Sequence, residues 1–403
     1  MRQFRQTLAL PGFRTLLILM FFARLPVTAA HMVMTLHVAV GMGRSYGQAG
    51  LAGAAATIGI SIGAPLMGRV IDRYGLRFML VIVTIGETAF WLSARFMPYP
   101  ALVVAAFAGG VLVVPVMSIG RQAIGVLVPE DLRRAAYSMD SISVELTFMV
   151  GPAVAVFVAT QVSTQAALTC MAVAVFVVGV VLWVVDTPVR EAGEHIDTTP
   201  MRRSEWLTPR LIGVLAVGTG AVFVLSGTEV TVVAALRGTG QLEWTGAVIA
   251  AMCVASAAGG VVHGAVRRSL PQVWLLGLLS VLVIPVAVAG SAHWWVLALV
   301  LIPTNFMCAP TIAATGEQVS KLAPPAKRGE ATGLQSSAFT LGGAIGAPLI
   351  GFAVDHGGAG WGFVVTGVGG SAVAGLALWL TVKSRRRARD RAEPEHEEVN
   401  PAR

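Results

Sequence analysis

The chain has 403 residues, of which 55% are hydrophobic and only 12% charged, where soluble globular chains carry about 25% charged residues. That balance excludes a string of soluble domains and points to a polytopic membrane protein. A net charge of +8 would suggest nucleic acid in a soluble chain, but in a membrane protein basic residues collect in cytoplasmic loops, and no nucleic-acid partner is expected.

The opening MRQFRQTLALPGFRTLLILMFFARLP has no small-residue cleavage site, so it reads as a cytoplasmic end leading into a first span. A span needs about 20 mostly apolar residues. On that criterion twelve segments qualify, near 15–40, 47–69, 77–96, 100–125, 138–160, 166–185, 209–235, 245–266, 273–290, 293–318, 332–353 and 361–382. If the spans alternate from a cytoplasmic N-terminus, the external loops hold only Arg44, Arg95 and Arg237. Arg24 and Arg121 lie inside spans, and every other basic residue falls on the cytoplasmic side. This asymmetry predicts a multi-pass protein of the cell membrane with both termini cytoplasmic.

The polar stretch 186–208 predicts a cytoplasmic linker between residues 1–185 and 209–382, each read as a six-helix bundle. Residues 383–403, basic then acidic, read as a disordered cytoplasmic tail. Cys170, Cys253 and Cys308 are odd in number, widely spaced and set in apolar runs, which excludes a disulfide scaffold or a clustered metal motif. No metal or cofactor is expected.

Slid against itself by 196 residues, the chain places Pro129 on Pro325, Pro152 on Pro348, Gln122 on Gln318 and Gly68 on Gly264. An offset near half the chain predicts a parallel repeat, with a binding site between two bundles. The expected fold class is therefore an all-α membrane protein: twelve transmembrane helices in two six-helix bundles related by a parallel pseudo-repeat.

The strongest local signal follows the second span: Gly68, Asp72, Arg73, Gly75 and Arg77 in GRVIDRYGLR. The glycines allow close approach and a tight turn. Asp72 can sit at the positive start of a helix, and the arginines can grip carboxylates. The expectation is a latch at the cytoplasmic face, with Asp72 near the start of span eleven at 333–337. The pattern resembles the loop 2–3 signature of the major facilitator superfamily, from which Leu76 departs. The resemblance implies a twelve-span transporter working by alternating access, and spans one, four and five beside the cavity.

Ionisable residues within spans mark function by default. Arg24, Arg121, Glu145 and Glu229 are the candidates for proton coupling or for lining the substrate cavity. Matched depth predicts Glu145 as the partner of Arg24 or Arg121. Glu87 reads as structural, His31 and His37 as buried imidazoles, and Glu317 as the repeat partner of Arg121 at the inner gate. Arg121 with Gly125 resembles part of the span-four motif of the superfamily's proton-coupled antiporters. Gly151-Pro152 resembles part of their glycine-proline motif, and with Pro348 marks candidate hinges.

No G-x-x-x-x-G-K-[ST], H-E-x-x-H or G-x-S-x-G occurs, and no soluble segment is long enough to house an enzyme. The sequence reads as a non-enzymatic secondary transporter, a monomer in the bilayer, exporting small apolar or amphipathic compounds against protons. The alternative is an uptake or facilitated carrier for a small polar solute, which only four tyrosines argue against.

Overall fold

A computed structural model describes residues 2–44, 46–189, 202–266, 269–289 and 293–392. Every regular element described there is helical. A short α1 (Arg2–Ala9) precedes α2 (Phe13–Leu36), whose last turn widens into a π-helix at His37–Gly41. There follow α3 (Tyr46–Tyr74), α4 (Leu76–Ala94), α5 (Tyr99–Val111), α6 (Val116–Leu127), α7 (Arg133–Gln161) and α8 (Thr164–Val185). After the short α9 (Arg203–Trp206) come α10 (Pro209–Gly238), α11 (Thr245–Ala265), α12 (Gln272–Val281), α13 (Val286–Ala289), α14 (Trp294–Phe306), α15 (Cys308–Leu322) and α16 (Arg328–Ala392).

Ten helical stretches among the described residues are long and apolar enough to cross a membrane, and Gln272–Val288 is a shorter apolar helix. Large side chains such as Ile18, Phe22, Phe157 and Phe352 are exposed on their outer faces, as expected where lipid replaces water. This is a multi-pass membrane protein.

The spans read as continuous at 100–125 and 273–290 are each broken in two. Proline has no N–H for the helical ladder. Pro115 lies at the break between α5 and α6, and Pro285 between α12 and α13. The freed Val114 N–H does not go unpaired: Glu87 Oε2 accepts it at 2.9 Å, and Trp91 Nε1 reaches the other oxygen at 3.5 Å. Conversely, the two spans expected at 332–353 and 361–382 are joined in α16 across one non-helical residue, Gly358, at φ 76° and ψ 179°. That helix continues to Ala392, past the expected boundary of the tail at 382, while residues 393–403 lie outside the described residues. Of the linker, residues 190–201 lie outside as well.

The buried apolar clusters follow the order of the chain. One runs from Val217 to Ala377 and another from Ala29 to Val175. A third spans Phe13 to Val189 and reaches across to Ala313. A small fourth seats Trp206 of α9 against Leu211, Val319 and Ala331. The linker's end is thereby anchored at the ends of α10, α15 and α16.

Candidate functional site

Two sets of polar residues bridge residues before 186 and those after 202, at one end of the helices. The first is the latch. Asp72, in the last turn of α3, accepts hydrogen bonds from the N–H groups of Gly329 and Glu330, each at 2.9 Å. These are first-turn donors of α16, which have no carbonyl partner within the helix. Close approach is a steric requirement here, because a Cβ on Gly68 would collide with the carbonyl of Gly329. Gly75 turns the chain from α3 to α4 at φ 87°. Arg69 Nη2 reaches Glu330 Oε1 at 2.7 Å, and Arg203 of α9 reaches the same oxygen at 3.2 Å.

The contact falls four residues before the expected 333–337, because the helix begins at Arg328 rather than 332. The arginines are also redistributed. Arg77 holds Asp186 at 3.3 Å, a partner in its own half of the chain, and lies over the Trp183 ring. Arg73 is exposed and stacks on Tyr74. Arg69 and Glu330 carry the cross-half pairing instead, and Arg203 supports Glu330 from its own half. Below them Ser118 Oγ donates to the Thr332 carbonyl at 3.2 Å, and Ser337 Oγ to the Ser61 carbonyl at 2.6 Å. Arg134 with Glu317 at 3.6 Å and Lys321 with Glu130 at 3.5 Å complete the closure. Glu317 thus meets Arg134 across the halves, not Arg121.

The second set lies deeper. Glu145 Oε1 on α7 accepts from Ser256 Oγ of α11 at 3.0 Å and from Cys308 Sγ of α15 at 3.4 Å. Glu229 of α10 and Cys253 of α11 are electrostatic neighbours of Glu145. Among the described residues no basic side chain pairs with Glu145.

The expected pairing of Arg24 or Arg121 with Glu145 is not what the structure holds. Arg24 Nη2 donates to Asp140 Oδ1 at 2.5 Å, with both side chains buried. Arg121 is buried beside them, its guanidinium 4.8 Å from the ring centroid of Phe339 on α16. Asp140 and Glu145 are five residues apart, roughly 140° around an α-helix. One faces α2 and the other faces α11 and α15, so matched depth alone did not decide the partner.

A family model of the Major Facilitator Superfamily matches residues 16–302 and 244–402. The chain belongs to this superfamily. Solved structures of similar fold include a bacterial homologue of the iron transporter ferroportin in the outward-facing state, 16% identical, covering 94% of this chain and 100% of that one at a TM-score of 0.73. The proton:xylose symporter XylE is 15% identical, with 91% and 95% covered at a TM-score of 0.71. The human organic anion transporter MFSD10 is 17% identical, with 94% and 99% covered at 0.64. No curated protein matches the chain. Members of this superfamily are transporters, so the chain is a transporter and not an enzyme.

Within this transporter the remaining candidates take separate places. Gly151 packs against Thr28, whose hydroxyl donates to the Thr147 carbonyl at 2.9 Å. Pro152 and Pro348 lie inside continuous helices. Asp140 lies only two residues inside the edge that hydropathy sets at 138, and Glu330 precedes the edge at 332, so neither stands out as a membrane charge in the sequence. Both positions follow from helices that begin four or five residues earlier than hydropathy suggests.

Proposed function

We propose that the chain exports small apolar or amphipathic compounds in exchange for protons, by alternating access between two six-helix bundles. The observation that carries this reading is Glu145: a carboxylate within a span, held across the two halves by a hydroxyl and a thiol, with no basic partner among the described residues. A carboxyl group in such surroundings can be made neutral by taking up a proton. Its bonds to Ser256 and Cys308 tie that protonation to the contact between the halves. Arg24, Arg121 and Glu229 belong to the same cavity on this reading, and Gly151, Pro152 and Pro348 serve as hinges.

The count of twelve crossings is supported by adding two to the ten long stretches: Gln272–Val288, and a second crossing after the break at Gly358. Pro129 and Pro325, equivalent in the proposed repeat, both sit in connections that lead into a long helix. The latch face is read as cytoplasmic, with both termini on it, in a monomer of the cell membrane.

The test is proton movement in everted vesicles holding the purified protein. Adding a panel of amphipathic compounds should release protons from vesicles acidified inside, and Glu145→Gln should abolish the release. A polar solute that drives proton entry on its own uptake would favour the uptake carrier instead.

A further inference from the structure

The charges between α2, α6 and α7 do not balance. Arg24 is 0% exposed, Arg121 5% and Asp140 3%. Among the described residues, the charged side chains near enough to act on Arg121 are Asp140 and Arg24, with the Tyr137 phenol beside them. Asp140 is already bonded to Arg24. Nε and Nη1 of Arg24 and Nη1 of Arg121 are buried with no hydrogen-bond partner. Guanidinium groups stay protonated in proteins. Two of them with one carboxylate leave one uncompensated positive charge within the spans, an expensive arrangement that marks a site for something negative. Glu145 does not supply the balance, since it faces Ser256 and Cys308 on the other side of α7.

The surroundings describe the rest of the ligand. Phe339 of α16 covers Arg121, and Met20 lies beside the Arg24 guanidinium at Gly120. Phe339 belongs to the half across the latch, one turn beyond the Ser118–Ser336 contact at 3.0 Å. When the latch face parts, α16 leaves Arg121 and its unpartnered donors facing the opening. Such a site offers a charge-assisted, forked grip on a carboxylate, with apolar surface next to it.

We propose that Arg121 and Arg24 bind the carboxylate head group of an amphipathic acid that enters from the latch face. This inference rests on the reading of the chain as a carrier of amphiphiles and narrows that class to acids. It does not require proton coupling, so a Glu145→Gln variant with unaltered transport would sink the coupling and leave the site intact.

The experiment is a thermal-stability titration of the purified full chain in neutral lipid nanodiscs, in a low-salt zwitterionic buffer free of other carboxylates. The probes are octanoate, octanamide and octyltrimethylammonium, which share a tail and differ in head charge, and chloride alone. Octanoate should raise the melting temperature saturably, and the other probes should not. Arg121→Gln leaves Arg24 and Asp140 as a neutral pair, so it should fold, and it should weaken the octanoate response at least tenfold. Arg121→Lys keeps the charge without the fork and should retain the preference for octanoate at lower affinity. An equal response to octanamide, an undiminished response in Arg121→Gln, or chloride reproducing the whole shift so that octanoate adds nothing, would each overturn the proposal.

Discussion

Two carboxylates on one helix, Asp140 and Glu145, live under opposite electrostatic rules. Asp140 is fixed by Arg24, both are buried, and a second arginine stands by. Among the described residues, Glu145 is held by a hydroxyl and a thiol and has no basic partner. A carboxylate held by arginine at low dielectric is committed to its charge, because losing it would strand the cation. One held by neutral donors can exist in either form at far smaller cost. On the proposed function, the difference separates a structural and binding role on the α2 side of α7 from a coupling role on the α11 and α15 side.

The comparison is broken most forcefully at Asp140. Asp140→Asn leaves two buried arginines without a countercharge, and removing one partner of a buried pair typically costs about 3–5 kcal/mol. We expect a large fall in melting temperature and in yield from the membrane. The double variant Arg24→Gln/Asp140→Asn, which strands no additional charge, should recover much of that loss. A single variant as stable as the parent would show that the pair is not the anchor its geometry suggests. Glu145→Gln reverses the pattern. Its amide oxygen still accepts from Ser256, so stability should change by less than about 1 kcal/mol. Transport driven by a proton gradient should fall below a tenth of the parent rate, and the residual rate should no longer vary with pH. Retained transport with the parental pH profile would remove Glu145 from the mechanism.

Much of this molecule is legible in its sequence, and the failures share a cause. Hydropathy finds the apolar middle of each helix, because that is where lipid exposure acts. It does not find the polar starts of the helices, and the chemistry lies at or near them: Gly329 and Glu330 open α16, and Asp140, two turns into α7, sits just inside the edge read at 138. The latch loop was readable because glycines and charges at fixed spacing have local mechanics of their own. Pairing was not readable, since the partners Arg24 and Asp140 are separated by 116 residues and chosen by helix rotation rather than depth. The breaks at Pro115 and Pro285 were visible as prolines, but whether a proline kinks a span or cuts it depends on what satisfies the freed backbone. At Val114 that partner is Glu87.

The latch sharpens the contrast at lower energy, because on the proposed alternating-access cycle its contacts open and close at each turnover. A carboxylate at a helix start contributes about 0.3–1 kcal/mol, rising to ~2 when partly buried. Asp72→Asn should therefore move the balance toward the latch-open state by roughly twofold to thirtyfold. Cross-linking of cysteine pairs placed at exposed positions on α3 and α16 that flank the latch, with Gly68 and Gly329 left intact in an otherwise cysteine-free background, would measure the shift. Equal yields with and without Asp72 would show that the loop serves topology alone.

The smallest expected effect is at Arg203. It and Arg69 share Glu330 Oε1, but the Arg203 side chain is 59% exposed and Arg69 41%. Exposed ion pairs contribute about 0–1 kcal/mol, are screened by salt, and cost side-chain freedom. Glu330 keeps its bond to Arg69 at 2.7 Å when Arg203 is removed, so the buried carboxylate is never left bare. Arg203→Gln should consequently change cross-linking across the latch by less than about twofold at physiological salt. The same measurement on Arg69→Gln should give a larger shift, because the surviving partner is then the longer and more exposed one. If Arg203→Gln matched Asp72→Asn in size, α9 would be a working part of the gate, and its anchoring through Trp206 would make the linker a third element in the closure.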